Sequence, residues 1–153
     1  MVKLINRNLC YVPLVFFILP LLVGCPWSGD QWRFDEEAPI IIKGNSICLN
    51  VVNPEGYQPK NIAINPRGTH TKDQGITFNP ELSLVGNQLC IPPTFYHFPN
   101  EGQFIISTVL TSTVNISEPR RLVAAVEISQ GIITSIPLTD LEIVRPYSEM
   151  VKP

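Results

Sequence analysis

The cysteines are the residues of this chain with the clearest chemistry, and Cys25 comes first. It ends the stretch Leu-Val-Gly-Cys, the bacterial lipobox pattern, in which the thiol receives diacylglycerol and the preceding peptide is removed. Lys3 and Arg7 precede an apolar run over residues 9–23, which is broken by prolines and shorter than the ~20 residues of a membrane-spanning helix. The pattern predicts a signal peptide at residues 1–24 and lipid attachment at Cys25. An ordinary secretory signal, or a stop-transfer helix with an accidental cysteine, is the alternative.

Cys48 and Cys90 are the two cysteines that remain when Cys10 is removed with the signal and Cys25 is acylated. Export places them in an oxidising compartment, where paired cysteines form disulfides. The sequence therefore predicts a Cys48–Cys90 bridge. The alternative is a pair of reduced, buried thiols.

A repeated pattern surrounds both cysteines: IKGNSICL at residues 42–49 and LVGNQLCI at residues 84–91. In each, Gly-Asn between two β-like runs is the signal of a two-residue hairpin turn. The larger apolar residues alternate with each cysteine and so point to the opposite face of the strand. If those residues face the core, the bridge lies on the outer side of the sheet or near its margin, unlike the central bridge of antibody domains.

Residues with catalytic or metal-binding chemistry are scarce. His70 and His97 are the only histidines, and neither has a cysteine, histidine or carboxylate at metal-ligand spacing. No nucleophile elbow, phosphate loop, HExxH or paired-carboxylate signature is present. Glu36 and Glu37 adjoin in a polar stretch, where we expect both to be solvated. The sequence predicts no enzyme activity, no metal and no cofactor.

The composition bounds the class of protein. Lys3 and Arg7 are lost with the signal, so nine Lys and Arg face thirteen Asp and Glu in the mature chain, a net charge near −4. No basic stripe with interleaved aromatics exists, which argues against nucleic acid as a partner. The mature length supports one domain with a modest core. We expect a lipidated tether at residues 25–37 and a folded domain at residues 38–153.

The domain sequence consists of short segments with β-strand composition, separated by Gly, Asn, Pro and Asp. No helical period is long enough to compete, and prolines recur where a helix would run. These pieces predict an all-β fold, a single antiparallel β-sandwich, with an immunoglobulin-like arrangement among the candidates. The predicted strands are residues 40–42, 47–52, 61–65, 75–78, 82–85, 88–91, 103–114, 122–129 and 132–136.

An aromatic stretch, CIPPTFYHFPNEGQF at residues 90–104, is the strongest candidate for a binding surface. Its prolines stiffen a loop that carries Tyr96, His97 and Phe98, so little conformational entropy would be lost on docking. Tyr96 and His97 are the members expected to be most exposed. The alternative is that these rings close one end of the sandwich.

Three arginines are further candidates for contact with a partner. Arg67 follows a predicted strand in the turn INPRG, which would display it. Arg120 and Arg121 begin a predicted strand, where they are either a partner-binding pair or a pair that protects a sheet edge.

Several motifs resemble a family of small Gram-negative lipoproteins described as type VI secretion system immunity periplasmic lipoproteins. They are NIAINPRGT, CIPPTFYHFP, GQFI, VLTS, EPRR and IPLTDLEIVRPY, behind a signal that ends GCP. The similarity covers almost the whole mature chain. It implies a protein that binds and blocks a toxin delivered into the periplasm by a sister cell, and it transfers no catalytic residue.

The expected protein is therefore lipid-anchored at the periplasmic face of the cell envelope, on the inner or the outer membrane. Acyl chains on Cys25 bury many methylenes at ~0.8 kcal/mol each, enough for stable anchoring. The expected partner is a protein toxin, and the sequence leaves the oligomeric state open. A structural or glycan-binding envelope lipoprotein without catalytic activity is the alternative.

Overall fold

The computed structural model of this chain describes residues 33–112, 114 and 118–150. The predictions for the signal peptide, for Cys25 and for most of the tether lie outside these residues. Within the described part, no helix is long and apolar enough to cross a membrane.

The described residues form ten strands and two short 3₁₀ helices, Thr71–Asp73 and Tyr147–Glu149. The prediction of an all-β sandwich is confirmed, and all nine predicted strands are present, although β5 and β6 have only two residues each. In chain order the strands are β1 (Glu36–Glu37), β2 (Ile40–Lys43), β3 (Ser46–Asn50), β4 (Tyr57–Pro66), β5 (Thr77–Phe78), β6 (Leu84–Val85), β7 (Gln88–Ile91), β8 (Gly102–Ser112), β9 (Arg120–Ser129) and β10 (Ile132–Ile136).

The strands divide into two sheets. The smaller sheet is antiparallel, in the order β2-β3-β7-β6, and contains both Gly-Asn hairpins. Gly44 and Gly86 take φ values of +57° and +60°, which other residues rarely adopt and which these tight turns require. The larger sheet has the order β1-β9-β8-β4-β5, and β10 pairs with β9 beyond β1 on the same edge. Its β1–β9 pair is parallel.

The core lies between the two sheets. It is built from the alternate residues that each strand turns inward, as half-buried strands require. The largest of these with almost no solvent exposure are Ile47, Leu49, Leu89, Ile91, Ile62, Ile106, Leu110, Leu122 and Val126.

The predicted disulfide is present, with an S–S distance of 2.07 Å between Cys48 and Cys90. The two cysteines are direct cross-strand partners on β3 and β7, the central strands of the smaller sheet. Their neighbours Ile47 and Leu49 belong to the core, so the bridge lies on the outer face, as the alternation predicts. Cys48 is nevertheless completely buried. Closing a segment of this length is worth roughly 4 kcal/mol by the loop-entropy model.

The expectation that Glu36 and Glu37 are solvated residues of a tether was wrong for Glu36. The two residues form β1, which pairs with Leu122 and Val123 of β9. Glu36 is partly buried because its carboxylate lies against the Arg120 guanidinium. The sheet therefore begins within the segment that the sequence assigns to the tether.

A second, smaller cluster lies on the outer face of the larger sheet. Val123 and Ala125 of β9 pack there against Leu138 and Ile143. These two come from residues 137–146, which we name the C-terminal strap. As a result β9 is buried on both faces, whereas its sequence pattern indicates one buried face.

Candidate functional site

Three loops at one end of the sandwich enclose a groove of about 620 Å³. One wall is the β2–β3 hairpin, with Ile42, and the opposite wall is the β9–β10 hairpin, with Ile132 and Ile133. The loop at residues 92–100 forms the floor. We call this depression the end groove.

The predicted aromatic loop supplies the floor of the end groove. The ring of Tyr96 lies 4.6 Å from that of Phe98, and Phe98 lies 5.6 Å from the buried Phe104, both edge to face. Such pairs add about 0.5–1.5 kcal/mol to the burial of their area. The rings therefore close the end of the sandwich, while one side of the cluster lines the groove. His97 is exposed, as predicted, but Tyr96 is half-buried.

Backbone hydrogen bonds hold the aromatic loop in place. The Phe95 N–H and the Tyr96 N–H both donate to the carbonyl of Pro92, at 2.9 and 3.2 Å. At the far end of the loop, the carbonyl of Asn100 accepts a 3.1 Å hydrogen bond from the Gly131 N–H of the β9–β10 hairpin. The loop and one wall of the groove are thus joined in the unbound protein.

The rim of the end groove carries exposed isoleucines that are not among the predicted binding residues. The exposed fraction is 67% for Ile132 and 42% for Ile42. Their signal in the sequence is the position of isoleucines directly beside hairpin turns, where polar residues are usual. Exposed apolar side chains grouped beside aromatic rings are typical of a protein-binding surface.

Arg67 is not among the residues that line the end groove, and its guanidinium is engaged within the protein. Its guanidinium donates two hydrogen bonds to the Glu142 carboxylate, at 2.6 and 2.8 Å, and one of 3.0 Å to the Pro137 carbonyl. The hydrogen bond with Glu142 raises the pKa of Arg67. Burial opposes ionisation of Glu142, but hydrogen bonds from Arg67 and Thr139 outweigh it and lower the Glu142 pKa. Arg67 thus fastens the C-terminal strap to the end of β4.

Arg120 also makes internal contacts. Its residue is only 5% exposed, and its Nε donates a 2.7 Å hydrogen bond to Glu36. It donates a further bond of 2.9 Å to the carbonyl of Asn53 and lies 5.1 Å from the centre of the Tyr57 ring. The hydrogen bond to Glu36 raises the pKa of Arg120. The guanidinium has no open face to offer a partner, so Arg120 acts in the fold.

Arg121 points to the outer face of the larger sheet and is partly exposed. It pairs with Asp35, whose carboxylate also accepts a 2.8 Å hydrogen bond from the backbone N–H of Val144. The Arg121 side chain borders a second depression of about 530 Å³, between the loop at residues 66–75 and the C-terminal strap. This polar cleft is lined by His70, Gln74 and Ser107 among others.

The structure thus distributes the six predicted binding residues over the end groove, the polar cleft and two separate internal ion pairs. Tyr96, His97 and Phe98 come together at the end groove, whereas Arg121 borders the polar cleft. Arg67 and Arg120 hold internal ion pairs. Among the described residues, no group of three or more His, Cys, Asp or Glu side chains could hold a metal ion.

A comparison with protein families matches residues 35–131 to the model described as a domain of unknown function, DUF7480. This span is well over half of the chain. The chain belongs to the DUF7480 family. No curated protein and no solved structure matches it.

The DUF7480 match begins at Asp35, directly before β1, and ends at Gly131 in the turn between β9 and β10. It contains the aromatic floor of the end groove and the disulfide. The C-terminal strap lies beyond the match.

Proposed function

We propose that this DUF7480 protein is a membrane-anchored periplasmic lipoprotein that binds and neutralises a toxin delivered by type VI secretion. The observation that carries protein binding is the end groove, with its exposed isoleucine rim and its aromatic floor. The lipobox at Cys25 supports the location, and the resemblance to immunity lipoproteins supports the toxin as the partner.

The end groove suits a partner that must be held tightly, because its parts are already ordered. Prolines 92, 93 and 99 restrict the aromatic loop, and edge-to-face packing on Phe104 fixes its rings. Binding then loses little loop or side-chain entropy, which is the usual cost of ordering an interface. Burying Ile42 and Ile132 on a partner would supply apolar contact at the centre of the interface.

The test is a competition assay. Cells deleted for this gene are mixed with parental attackers whose type VI machine is either working or disabled. We expect deleted cells to die only beside working attackers, and the periplasmic protein expressed in trans to rescue them. The proposal is contradicted if deleted cells survive under every condition that fires the machine.

A pair of matched variants links rescue to the end groove. Ile132→Asp places a charge on the groove rim and should abolish rescue. Val85→Asp makes the same change at another exposed residue, 74% accessible and outside the groove lining, and should rescue fully. Equal rescue by both variants would mean that the toxin contacts another surface of the protein.

The polar cleft favours a second candidate, a glycan-binding envelope lipoprotein without catalytic activity. Its histidine, amide and hydroxyl groups can donate and accept hydrogen bonds, as sugar hydroxyls require. Cosedimentation with purified cell-wall sacculi tests this candidate. Binding that is lost in Ser107→Leu, while Ile132→Asp still binds, would support it.

A further inference from the structure

The free edge of β2 is the strongest unassigned feature beside the end groove. β2 pairs only with β3 among the described residues, so its other edge has no neighbouring strand. The Asn50 N–H donates to the Pro39 carbonyl at 2.8 Å, which makes these two a hydrogen-bonded pair. Hydrogen-bonded pairs alternate with non-hydrogen-bonded pairs along an antiparallel ladder. The next hydrogen-bonded pair is therefore Ile41 and Cys48. The N–H and C=O groups of Ile40 and Ile42 therefore point away from the sheet.

This edge has little of the usual protection against pairing with another chain. Proteins blunt edges with very short strands, charged side chains such as lysine, prolines, bulges or inward-pointing charges, and β2 has one of these, Lys43 at its last residue. β1, β5 and β6 have two residues each, whereas β2 carries three consecutive isoleucines and no proline. β10 is the other outermost strand of more than two residues in the described part of the chain, but its outward-pointing backbone groups belong to Ile133 and the polar Ser135.

The charge at the end of β2 indicates what an added strand would carry. Lys43 is exposed and makes no ion pair within the described residues. In contrast, every arginine of that part of the chain is paired with a carboxylate: Arg33, Arg67, Arg120, Arg121 and Arg145. Lys43 is thus available to a carboxylate of a partner.

We propose that the toxin docks by adding an extended segment to β2, as a fifth strand of the smaller sheet. Alternate apolar side chains of that segment lie in the end groove against Ile42, Tyr96 and Phe98, and an acidic residue of the segment lies beside Lys43. The main-chain hydrogen bonds to Ile40 and Ile42 supply affinity, and the groove selects the side chains. This inference rests on the proposed function and specifies how the same groove holds its partner.

Proline substitution tests the strand addition because it removes one backbone N–H group. At a position whose N–H points away from the sheet, the hydrogen bonds to the neighbouring strand stay intact. Ile42→Pro removes an outward N–H without breaking a β2–β3 hydrogen bond. Ile42→Ala shortens the same side chain but keeps the N–H. Ser135→Pro makes the equivalent backbone change on the edge of β10.

The readout is rescue in the competition assay, with each purified variant checked by thermal melting. We expect Ile42→Pro to fail to rescue and Ser135→Pro to rescue. Ile42→Ala loses apolar contact in the groove but keeps the N–H, so it should weaken binding less than Ile42→Pro and retain partial rescue. Affinity for the toxin recovered with the parent protein should fall by about tenfold or more in Ile42→Pro, the loss that one hydrogen bond and a steric block would cause. If Ile42→Pro does not fold, Ile40→Pro replaces it, since its N–H also points outward.

Each outcome decides between the two proposals. If the folded proline variant rescues as well as the parent, strand addition is wrong and the immunity proposal stands. Loss of rescue in Ile42→Ala to the same degree as in Ile42→Pro also overturns strand addition, because the side chain alone then explains the contact. If the parent itself does not rescue, the immunity proposal fails and this inference fails with it.

Discussion

At the scale of single residues, the ion pair between Arg120 and Glu36 joins the first strand, β1, to the start of β9. Arg120 is buried among Glu36, the Asn53 carbonyl and the Tyr57 ring, so its charge depends on one carboxylate. A buried ion pair adds little stability compared with well-packed apolar residues, but removing one partner leaves an uncompensated buried charge. The sequence singles out Arg120 and Arg121, but it does not reveal that Arg120 depends on Glu36, because Glu36 is 84 residues away.

We therefore expect Glu36→Gln to lower the free energy of unfolding by about 3 kcal/mol, measured by urea denaturation. Glu37→Gln is the matched control at the next position. The Glu37 carboxylate is largely exposed and lies 3.9 Å from Arg145, so its loss should cost less than about 1 kcal/mol. Equal losses in the two variants would contradict the structural role of Arg120.

The Glu142 carboxylate gives a prediction about acid stability. Its folded pKa lies below the unfolded value of about 4.3, so the ionised group stabilises the fold at neutral pH. This contribution is lost as the pH falls through the folded pKa. Between about pH 5 and pH 3, the free energy of unfolding should fall further for the parent protein than for Glu142→Gln, which has no group to titrate at that position. Urea denaturation at each pH measures it. Parallel pH profiles of the two proteins would contradict it.

At the scale of elements, local patterns predict the strands and hairpins, because alternation and Gly-Asn turns act between near neighbours. The Cys48–Cys90 bridge also follows, since only two cysteines remain for it. The patterns miss β1, because two adjacent glutamates resemble a solvated linker. They also miss the role of the C-terminal strap, because its contacts join distant parts of the sequence. Arg67 is 75 residues from its partner Glu142, and Asp35 is 109 residues from its partner Val144.

The C-terminal strap gives a prediction at this scale. Leu138 is almost completely buried against Val123 and Ala125, so Leu138→Ala should leave a cavity and lower the free energy of unfolding by about 2–4 kcal/mol. Leu141 lies in the same strap but is 98% exposed, so Leu141→Ala should change stability by less than about 0.5 kcal/mol. Urea denaturation measures both. A neutral Leu138→Ala would mean that the strap contributes nothing to the fold.

At the scale of the whole molecule, β9 runs from its contact with the first strand, β1, to the end groove. Asp35 and β1 contact β9 near Leu122 and Val123, whereas the groove begins at Ile128. At the rise of a β-strand, Val123 and Ile128 lie roughly 17 Å apart. The described residues that line the groove all follow Asp35 in the sequence.

Anchoring and toxin binding should therefore separate. A variant with Cys25→Ser behind an ordinary secretory signal should bind the toxin with parental affinity in calorimetry. It should nevertheless protect cells less at the same periplasmic level, because a lipid anchor raises the local concentration of the inhibitor at the membrane. Raising its expression should restore protection, since mass action then replaces the anchor. Full protection by the anchorless variant at the lowest level that suffices for the parent would show that the lipid makes no contribution to immunity.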